Sequence, residues 1–108
     1  MFMLKRYQDQ LEKLRKKMGW AYWPPVVGVV RLAEEVGELS RIILHLENIK
    51  PKKQTEAHQE VGEELADVVM VLLWVANNLK IDLDKEMEKN FKKMEKRDKG
   101  RYKRTKYM

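Results

Sequence analysis

Two pairs of acidic residues have the spacing of one side of an α-helix. Glu35 and Glu38 are three residues apart, and so are Glu64 and Asp67. Residues three apart project from the same side of a helix, so each pair can present two carboxylates together. Antiparallel packing of the two helices would bring the pairs face to face. Four close carboxylates repel one another and favour a bound cation, and sets of oxygen ligands suit Mg²⁺ or Mn²⁺.

A solvated acidic surface is the competing interpretation of these residues. Glu is a good helix former, so an isolated Glu-x-x-Glu pair is weak evidence for a metal site. Two helices that each carry such a pair beside apolar residues are more informative. Gly37 and Gly62 stand next to the acidic pairs, inside helices where each costs about 1 kcal/mol relative to alanine. They could allow close approach of the helices or of a ligand, but spacing alone leaves both interpretations open.

Four helices are predicted to position these side chains, because apolar residues recur at spacings of three and four. The predicted helices cover about residues 3–18, 25–46, 56–79 and 83–98. Gly19 ends the first helix, and Thr55 and Asp82 are the predicted N-terminal caps of the third and fourth. There is no good candidate for a strand. The predicted fold class is therefore all-α, with four antiparallel helices joined by short connections.

Apolar seams identify the predicted core-facing sides of the two middle helices. Their narrow spacing is like that of a coiled coil. The two predicted seams are Val29, Leu32, Val36, Leu39, Ile43 and Leu46, and Val61, Leu65, Val68, Leu72, Val75 and Leu79. The acidic pairs flank these seams. The second half of the third helix is apolar nearly all round, so it is predicted to be deeply buried.

Length and composition limit the classes of protein. A chain of 108 residues suits one domain, which we expect to span residues 1–98 and to be followed by a basic, flexible tail at 99–108. The absence of cysteine excludes disulfides and thiolate metal sites. No apolar run approaches the roughly 20 residues of a membrane span, and no apolar leader opens the chain. We therefore expect a soluble, cytoplasmic protein.

The positive charge is concentrated at the C-terminal end. The formal net charge is +6, and segment 89–108 carries ten basic and two acidic side chains. Such an end indicates a polyanionic partner, which could be nucleic acid, an anionic membrane surface or the phosphates of a nucleotide.

The acidic motifs together resemble those of a known family. Glu34-Glu35-x-x-Glu38, followed by Glu64-x-x-Asp67, is similar to the EExxE…ExxD signature of the MazG-like, all-α NTP pyrophosphatases. The resemblance implies an antiparallel four-helix MazG-like bundle that is completed by oligomerisation, as a dimer or a tetramer. It also implies hydrolysis of nucleoside triphosphates, including dNTPs or modified nucleotides, to monophosphate and pyrophosphate, as housekeeping of the nucleotide pool. The implied cofactor is Mg²⁺, with Mn²⁺ as a substitute.

The resemblance covers about residues 20–98 and implies roles for individual side chains. The implied metal ligands are Glu35, Glu38, Glu64 and Asp67. Glu34 or Glu63, each next to a ligand, could orient or deprotonate the attacking water. Each of these two points about 100° around its helix from the neighbouring ligand.

Basic and aromatic side chains complete the implied nucleotide site. The implied phosphate-binding residues are Lys89, Asn90, Lys93 and Arg97, and the candidates for stacking on the base are Trp23 and Tyr22. The competing interpretations are a solvated helix surface for the basic residues and simple packing for the aromatic ones, which we favour for Trp20.

Two other function classes stay open. One is a nucleic-acid-binding helical protein that uses the basic C-terminal end, although no recognised binding module is present. The other is a regulatory helical oligomer without catalytic activity. Neither accounts for the acidic residues on both middle helices as directly as a metal-dependent enzyme does.

Overall fold

The computed structural model describes residues 3–47 and 54–99, with the backbone alone described for 54–59. The helices are α1 Met3–Met18, α2 Pro25–Glu47, α3 Gln54–Asn78 and α4 Leu83–Asp98, and no strand occurs in these two ranges. The all-α prediction is confirmed, with helix ends within two residues of those predicted. The predicted cap Thr55 is wrong, because α3 begins one residue earlier at Gln54. Most of the predicted loop at 48–54 and tail at 99–108 lies outside the described residues.

Helices α2 and α3 form an antiparallel pair, which is the most extensive helix contact of the described chain. At one end of the pair, the Asn78 side-chain amide donates to the carbonyl oxygen of Trp23, just before α2, at 2.8 Å. Further along, Glu35 of α2 lies against Glu64 and Asp67 of α3. Early residues of α2 therefore meet late residues of α3, and the predicted antiparallel arrangement is confirmed.

Gly28 sets how closely α2 approaches α3. This residue is buried, and a Cβ added to it would lie 2.5 Å from Cγ2 of Val75. Only a residue without a side chain fits this contact. The close approach at Gly28 therefore fixes which side of α2 faces α3 along the rest of the pair.

The side of α2 that faces α3 coincides only in part with the predicted seam. Val29 and Val36 are 61% and 45% exposed, whereas Gly28 is buried and Glu35 is half-buried. Leu32 and Leu39 of the predicted seam are half-buried, so the inward side is rotated slightly from the predicted one and includes a carboxylate. The prediction was wrong for Val29 and Val36 because both sides of α2 carry apolar residues, and periodicity alone favoured the more hydrophobic side.

A similar correction applies to α3. Leu73 and Ala76 are buried as predicted, but Val69, Met70 and Leu72 remain more than two-fifths exposed. The second half of α3 is therefore buried on one side only within the single chain. The buried side also contains Glu64, at 7% exposure, in place of the predicted seam residue that follows it.

A buried glutamine joins α1 to the junction between α3 and α4. The Gln8 side-chain amide donates to Oδ1 of Asn77 and to the carbonyl oxygen of Ile81, at 3.0 and 2.7 Å. Its oxygen accepts from the backbone N–H of Leu83 at 3.0 Å. Asn77 in turn donates to the Gln8 carbonyl oxygen at 2.9 Å. Because its amide oxygen and nitrogen both have partners, Gln8 can be buried at little cost.

Two aspartates cap helix N-termini at the same end of the molecule. Asp82 accepts from the backbone N–H groups of Asp84 and Lys85 and caps α4, as predicted. Asp84 caps a different helix, because its two oxygens accept from the backbone N–H groups of Leu4 and Lys5 in α1, at 3.0 and 3.1 Å. The first turn of α1 therefore depends on a carboxylate from α4.

Replacing Asp84 by alanine is expected to lower the free energy of unfolding by about 1 kcal/mol, the usual cost of losing a helix cap. Urea unfolding followed by far-ultraviolet circular dichroism measures this loss. Asp9→Ala is the matched control, since Asp9 makes only an exposed ion pair with Lys5 and should cost at most about 0.5 kcal/mol. Equal losses in the two variants would contradict the capping role of Asp84.

None of the described helices is long and apolar enough to cross a membrane.

Candidate active site

Three carboxylates converge where α2 and α3 pack against each other. One carboxylate oxygen from each of Glu35, Glu64 and Asp67 can be chosen so that all three lie within 4.8 Å of one another. Glu64 and Asp67 reach this point because they are three residues apart on α3, and Glu35 arrives from the facing side of α2. The spacing of the acidic pairs in the sequence therefore corresponds to a real cluster in the structure.

The buried member of the cluster, Glu64, shows that the three residues suit a cation. Its Oε1 atom is buried and, among the described residues, this one oxygen has no hydrogen-bond partner. Hydrogen bonding with Glu35, burial, and the negative charges of Glu35, Asp67 and Glu38 raise the pKa of Glu64 to about 7. A carboxylate held this way gains from a positive charge. Oxygen ligands alone suit a hard ion such as Mg²⁺ or Mn²⁺.

The raised pKa of Glu64 predicts how the stability of the metal-free protein depends on pH. A carboxyl group whose pKa is higher in the folded state stabilises the fold when protonated, and this contribution disappears as pH rises through about 7. In the presence of EDTA, the melting temperature should therefore fall between pH 6 and pH 8. Mg²⁺ should reduce this fall, because the ion compensates the charge that ionisation creates.

Thermal unfolding of wild type and Glu64→Gln at both pH values tests this prediction. The variant keeps the other groups that titrate in this range, so their effect can be subtracted. An equal fall in melting temperature for the two proteins would show that Glu64 does not cause the pH dependence.

Glu38 stands apart from the three converging carboxylates. Its carboxylate accepts a hydrogen bond from the guanidinium of Arg41, one turn further along α2. The pKa of Glu38 is lowered by this bond and by the positive charge of Arg41. The described structure therefore brings three of the four predicted metal ligands together and places the fourth against an arginine.

An aromatic cavity of about 770 Å³ adjoins the carboxylates. Such a volume is in the range of small-molecule sites. Its polar lining side chains include Arg31, Glu35 and Asp67, and the rest of the wall is mainly aromatic or aliphatic. The remaining lining residues are Leu11, Leu14, Trp20, Ala21, Trp23, Met70, Val71 and Trp74. An apolar chamber with carboxylates on its wall suits a ligand that has a flat apolar part and an anionic part.

Trp74 is the centre of the aromatic wall. Its ring centroid lies 4.9 Å from that of Trp23, 5.2 Å from Tyr22 and 6.4 Å from Trp20. These are favourable distances for aromatic pairs. The segment before α2 is therefore held against α3 by ring contacts, and all three tryptophans of the chain line the cavity.

The two predicted base-binding residues occupy different positions. Trp23 lines the cavity, and its ring lies under the guanidinium of Arg31 at 5.5 Å. Tyr22 is not part of the cavity wall. Its hydroxyl donates to Glu12, and its ring lies 4.4 Å from the guanidinium carbon of Arg15. In this structure the Tyr22 side chain therefore contacts Glu12, Arg15 and Trp74 of the protein itself.

The other predicted residues lie outside this cavity in the single chain. Glu34 and Glu63 are exposed and do not belong to its lining. The predicted phosphate-binding residues are exposed on α4 and do not line it either; they are Lys89, Asn90, Lys93 and Arg97. Of these four, Lys89 pairs with Glu86 and Arg97 with Asp98.

Two cavity residues, Arg31 and Trp74, had no role in the sequence analysis. Arg31 is four residues before Glu35, and Trp74 is seven residues after Asp67. Both spacings correspond to whole helical turns from a predicted ligand. A search for aromatic and basic residues in phase with the acidic motifs would have found them.

Comparison with known proteins identifies the family of this chain. Residues 28–102 match the family model of the MazG nucleotide pyrophosphohydrolase domain. The match covers α3, α4 and all of α2 except its first three residues. It therefore includes the three converging carboxylates. The chain belongs to the MazG family. The family predicted from the acidic motifs is therefore confirmed.

Relatives of this MazG chain occur in Bacillus subtilis (strain 168). The chain is 36% identical to the uncharacterized protein YpjD over 101 residues, which cover 94% of this chain and 91% of YpjD. It is 29% identical to the uncharacterized protein YvdC over 93 residues, which cover 81% of this chain and 88% of YvdC. No solved structure matches this MazG chain significantly.

Proposed function

We propose that this protein hydrolyses nucleoside triphosphates to nucleoside monophosphate and pyrophosphate in a Mg²⁺-dependent reaction. The observation that carries the proposal is the position of Glu35 and Asp67. Both belong to the carboxylate cluster, and both also line the aromatic cavity. A nucleotide needs such a combination, since its base stacks on aromatic rings and its phosphates bind through a metal ion held by carboxylates.

Glu35, Glu64 and Asp67 are the residues that would hold Mg²⁺, with Mn²⁺ as a substitute and Glu38 as the fourth proposed ligand. When bound, the ion would offset part of the negative charge of the triphosphate and activate water for attack at phosphorus. The protein contributes the buried Glu64 carboxylate, which is fixed by the packing of α3 against α2 and needs little reorganisation to bind. Glu38 has to leave Arg41 before it can act as a ligand.

Trp23 is proposed to stack on the base, together with the other tryptophans of the wall. Stacking tolerates every base, because each base has a π-face. The side chains of the wall offer few hydrogen-bonding groups for a base edge. We therefore expect modified bases to be accepted alongside the canonical ones, and the candidate substrates include dNTPs and modified nucleotides. Tyr22 would support the base by holding Trp74 rather than by direct contact.

Glu34 and Glu63 are the proposed groups that orient or deprotonate the attacking water. Each stands next to a proposed ligand in the sequence and is exposed in the single chain, so water can reach both. Replacing each in turn by glutamine should lower kcat with little change in the affinity for Mg²⁺. An unchanged kcat in both variants would remove these residues from the reaction.

Self-association into a dimer or a tetramer is the second part of the proposal. A groove of about 370 Å³ with an almost wholly apolar wall runs between α2, α3 and α4. Val29, Val69 and Leu72 line it and are each more than two-fifths exposed. A second copy would bury this surface, as helices in bundles bury their apolar sides. The proposed phosphate-binding residues of α4 do not line the cavity of their own chain, so in such an oligomer they would have to act at the cavity of a neighbouring chain.

Sedimentation equilibrium tests the self-association. A mass of two or four chains is expected, and Leu72→Glu should lower it, because burying an unpaired charge in such a contact is unfavourable. A monomer at micromolar concentration would contradict this part of the proposal.

The activity itself is tested by measuring pyrophosphate release from a panel of canonical and modified nucleoside triphosphates. The expected result is release that requires Mg²⁺ or Mn²⁺ and stops on addition of EDTA. No release from any triphosphate by the folded protein would exclude the enzyme. Salt-dependent binding of DNA in its place would favour the alternative, in which the basic C-terminal end binds nucleic acid.

A further inference from the structure

Arg31 is the only basic side chain among the described residues that line the aromatic cavity. It lies on α2 one helical turn before Glu35, on the same side of the helix. Its guanidinium carbon is 5.5 Å from the ring centroid of Trp23. The residue therefore stands between the aromatic wall and the carboxylate cluster, about 6 Å along the helix axis from Glu35.

The charge of Arg31 is not neutralised by a carboxylate of the described chain. Arg15, Arg41 and Arg97 each form an ion pair with an acidic residue no more than three positions away. Arg31 has acidic neighbours at similar spacing, since Glu34 and Glu35 follow it by three and four positions.

The contact that Arg31 makes instead is with an aromatic ring. A guanidinium above the face of Trp23 is held by a cation–π interaction. A cation–π interaction uses the charge of the guanidinium and not its N–H donors, so these stay available. The side chain is thus oriented but keeps its hydrogen-bond donors free for a ligand in the cavity.

The cavity needs a positive charge at this position when an anionic ligand enters. Glu35 and Asp67 on its wall and Glu64 behind them are negative when ionised. A triphosphate with one divalent cation is still an anion, so the ion alone does not remove its repulsion from three carboxylates. The basic residues of α4 are absent from this wall. Arg31 is the group placed to supply the missing charge.

We propose that Arg31 binds phosphate oxygens of the nucleotide and positions the phosphates between the stacked base and the carboxylate cluster. This inference rests on the proposed function, and it adds a substrate-binding residue that the acidic motifs do not contain. A guanidinium binds two phosphate oxygens at once, which fixes orientation as well as charge. Its contact with Trp23 then links the position of the phosphates to that of the base.

The test compares ligands with and without phosphate. The α,β-imido triphosphate analogues of deoxyadenosine and deoxycytidine, the monophosphates and the free nucleosides are titrated into the protein with Mg²⁺. Quenching of tryptophan fluorescence reports binding, because all three tryptophans line the cavity. The variants are Arg31→Gln, Arg31→Lys and, as matched control, Arg6→Gln, since Arg6 is exposed on α1 and outside this cavity.

Arg31→Gln is expected to weaken binding of the analogues and the monophosphates by about tenfold or more, the usual cost of a hydrogen bond to a charged group. Nucleoside binding should change by less than about twofold. Arg31→Lys should lie between, because lysine keeps the charge but not the bidentate geometry. Arg6→Gln should match wild type.

Equal weakening of nucleosides and phosphorylated ligands would overturn the proposal and leave Arg31 as a support for Trp23. Unchanged binding of all ligands would overturn it as well. The activity assay separates the two claims. Analogue binding that depends on Arg31, without any pyrophosphate release from triphosphates, would keep this inference and reject the proposed reaction. Pyrophosphate release that is unaffected by Arg31→Gln would do the reverse.

Discussion

Glu64→Gln is expected to abolish metal-dependent activity while the protein stays folded. Glutamine has nearly the same shape, but it removes the negative charge of the buried carboxylate in the cluster. Substitutions in the outer shell of metal sites already cost about 10–100-fold, so losing a proposed direct ligand should lower kcat/KM by at least about 100-fold. Isothermal titration with Mg²⁺ or Mn²⁺ should show a parallel loss of affinity.

The stability of this variant separates a loss of chemistry from a loss of fold. The hydrogen bond with Glu35, burial and the neighbouring carboxylates raise the pKa of Glu64 because they disfavour its charged form. Glutamine carries no charge, so metal-free Glu64→Gln should be at least as stable as wild type at pH 8. Glu47→Gln, at the exposed end of α2, is the matched control and should keep full activity. Glu38→Gln should have a smaller effect than Glu64→Gln, because Glu38 is exposed and paired with Arg41. Retained activity in Glu64→Gln would contradict the proposed metal site.

Gly28→Ala is expected to be the most damaging single-methyl substitution in α2. Its new Cβ would lie 2.5 Å from Cγ2 of Val75, and a β-branched side chain on a helix has little rotational freedom to move away. Overpacking of this kind costs about 1–3 kcal/mol, which exceeds what alanine gains over glycine in a helix, about 1 kcal/mol. Separation of α2 from α3 would also pull Glu35 from Glu64 and lower metal affinity.

A double-mutant cycle with Val75→Ala measures this contact in urea unfolding. The penalty of Gly28→Ala should disappear when Val75 is already alanine, with a coupling energy of about 0.5–3 kcal/mol. Gly37→Ala is the matched control on the same helix. A Cβ at Gly37 meets no atom within 4 Å, so this substitution should stabilise the protein by up to about 1 kcal/mol. Additive effects of Gly28→Ala and Val75→Ala would contradict the close approach.

The helices could be predicted from sequence because their ends carry specific local signals. Gly19 adopts a φ of 71° after α1, Pro24 precedes α2 and Pro25 is its first residue, and Asp82 caps α4. Each signal acts within a few residues and needs no knowledge of the tertiary fold. The all-α class and the order of the helices followed directly from them.

The rotation of α2 and α3 about their axes could not be predicted in the same way. Val29 and Val36 make a better apolar seam than Gly28 and Glu35, but the latter face α3. A carboxylate is unfavourable in a core position by itself, so periodicity rejects the correct side. This side of α2 becomes understandable only when Glu64 is known to lie on the facing helix, because Glu35 and Glu64 together could hold a cation. The residues of the candidate site are thus where sequence reasoning about packing fails.

The carboxylate cluster was predicted better than its surroundings. Spacing placed Glu64 and Asp67 on one side of α3, and the family signature paired them with Glu35. The positions of Arg31 and Trp74 on the cavity wall depended on the side of each helix that faces inward. The predicted seams were wrong at about half of their positions, which was enough to hide them.

Hydrolysis of a triphosphate in H₂¹⁸O, followed by ³¹P NMR of the products, tests the central claim most directly. The expected products are nucleoside monophosphate and pyrophosphate, with ¹⁸O in the monophosphate, because water would attack the α-phosphorus beside a metal ion that Glu35, Glu64 and Asp67 would hold. Label in the pyrophosphate, or nucleoside diphosphate and orthophosphate as products, would contradict it.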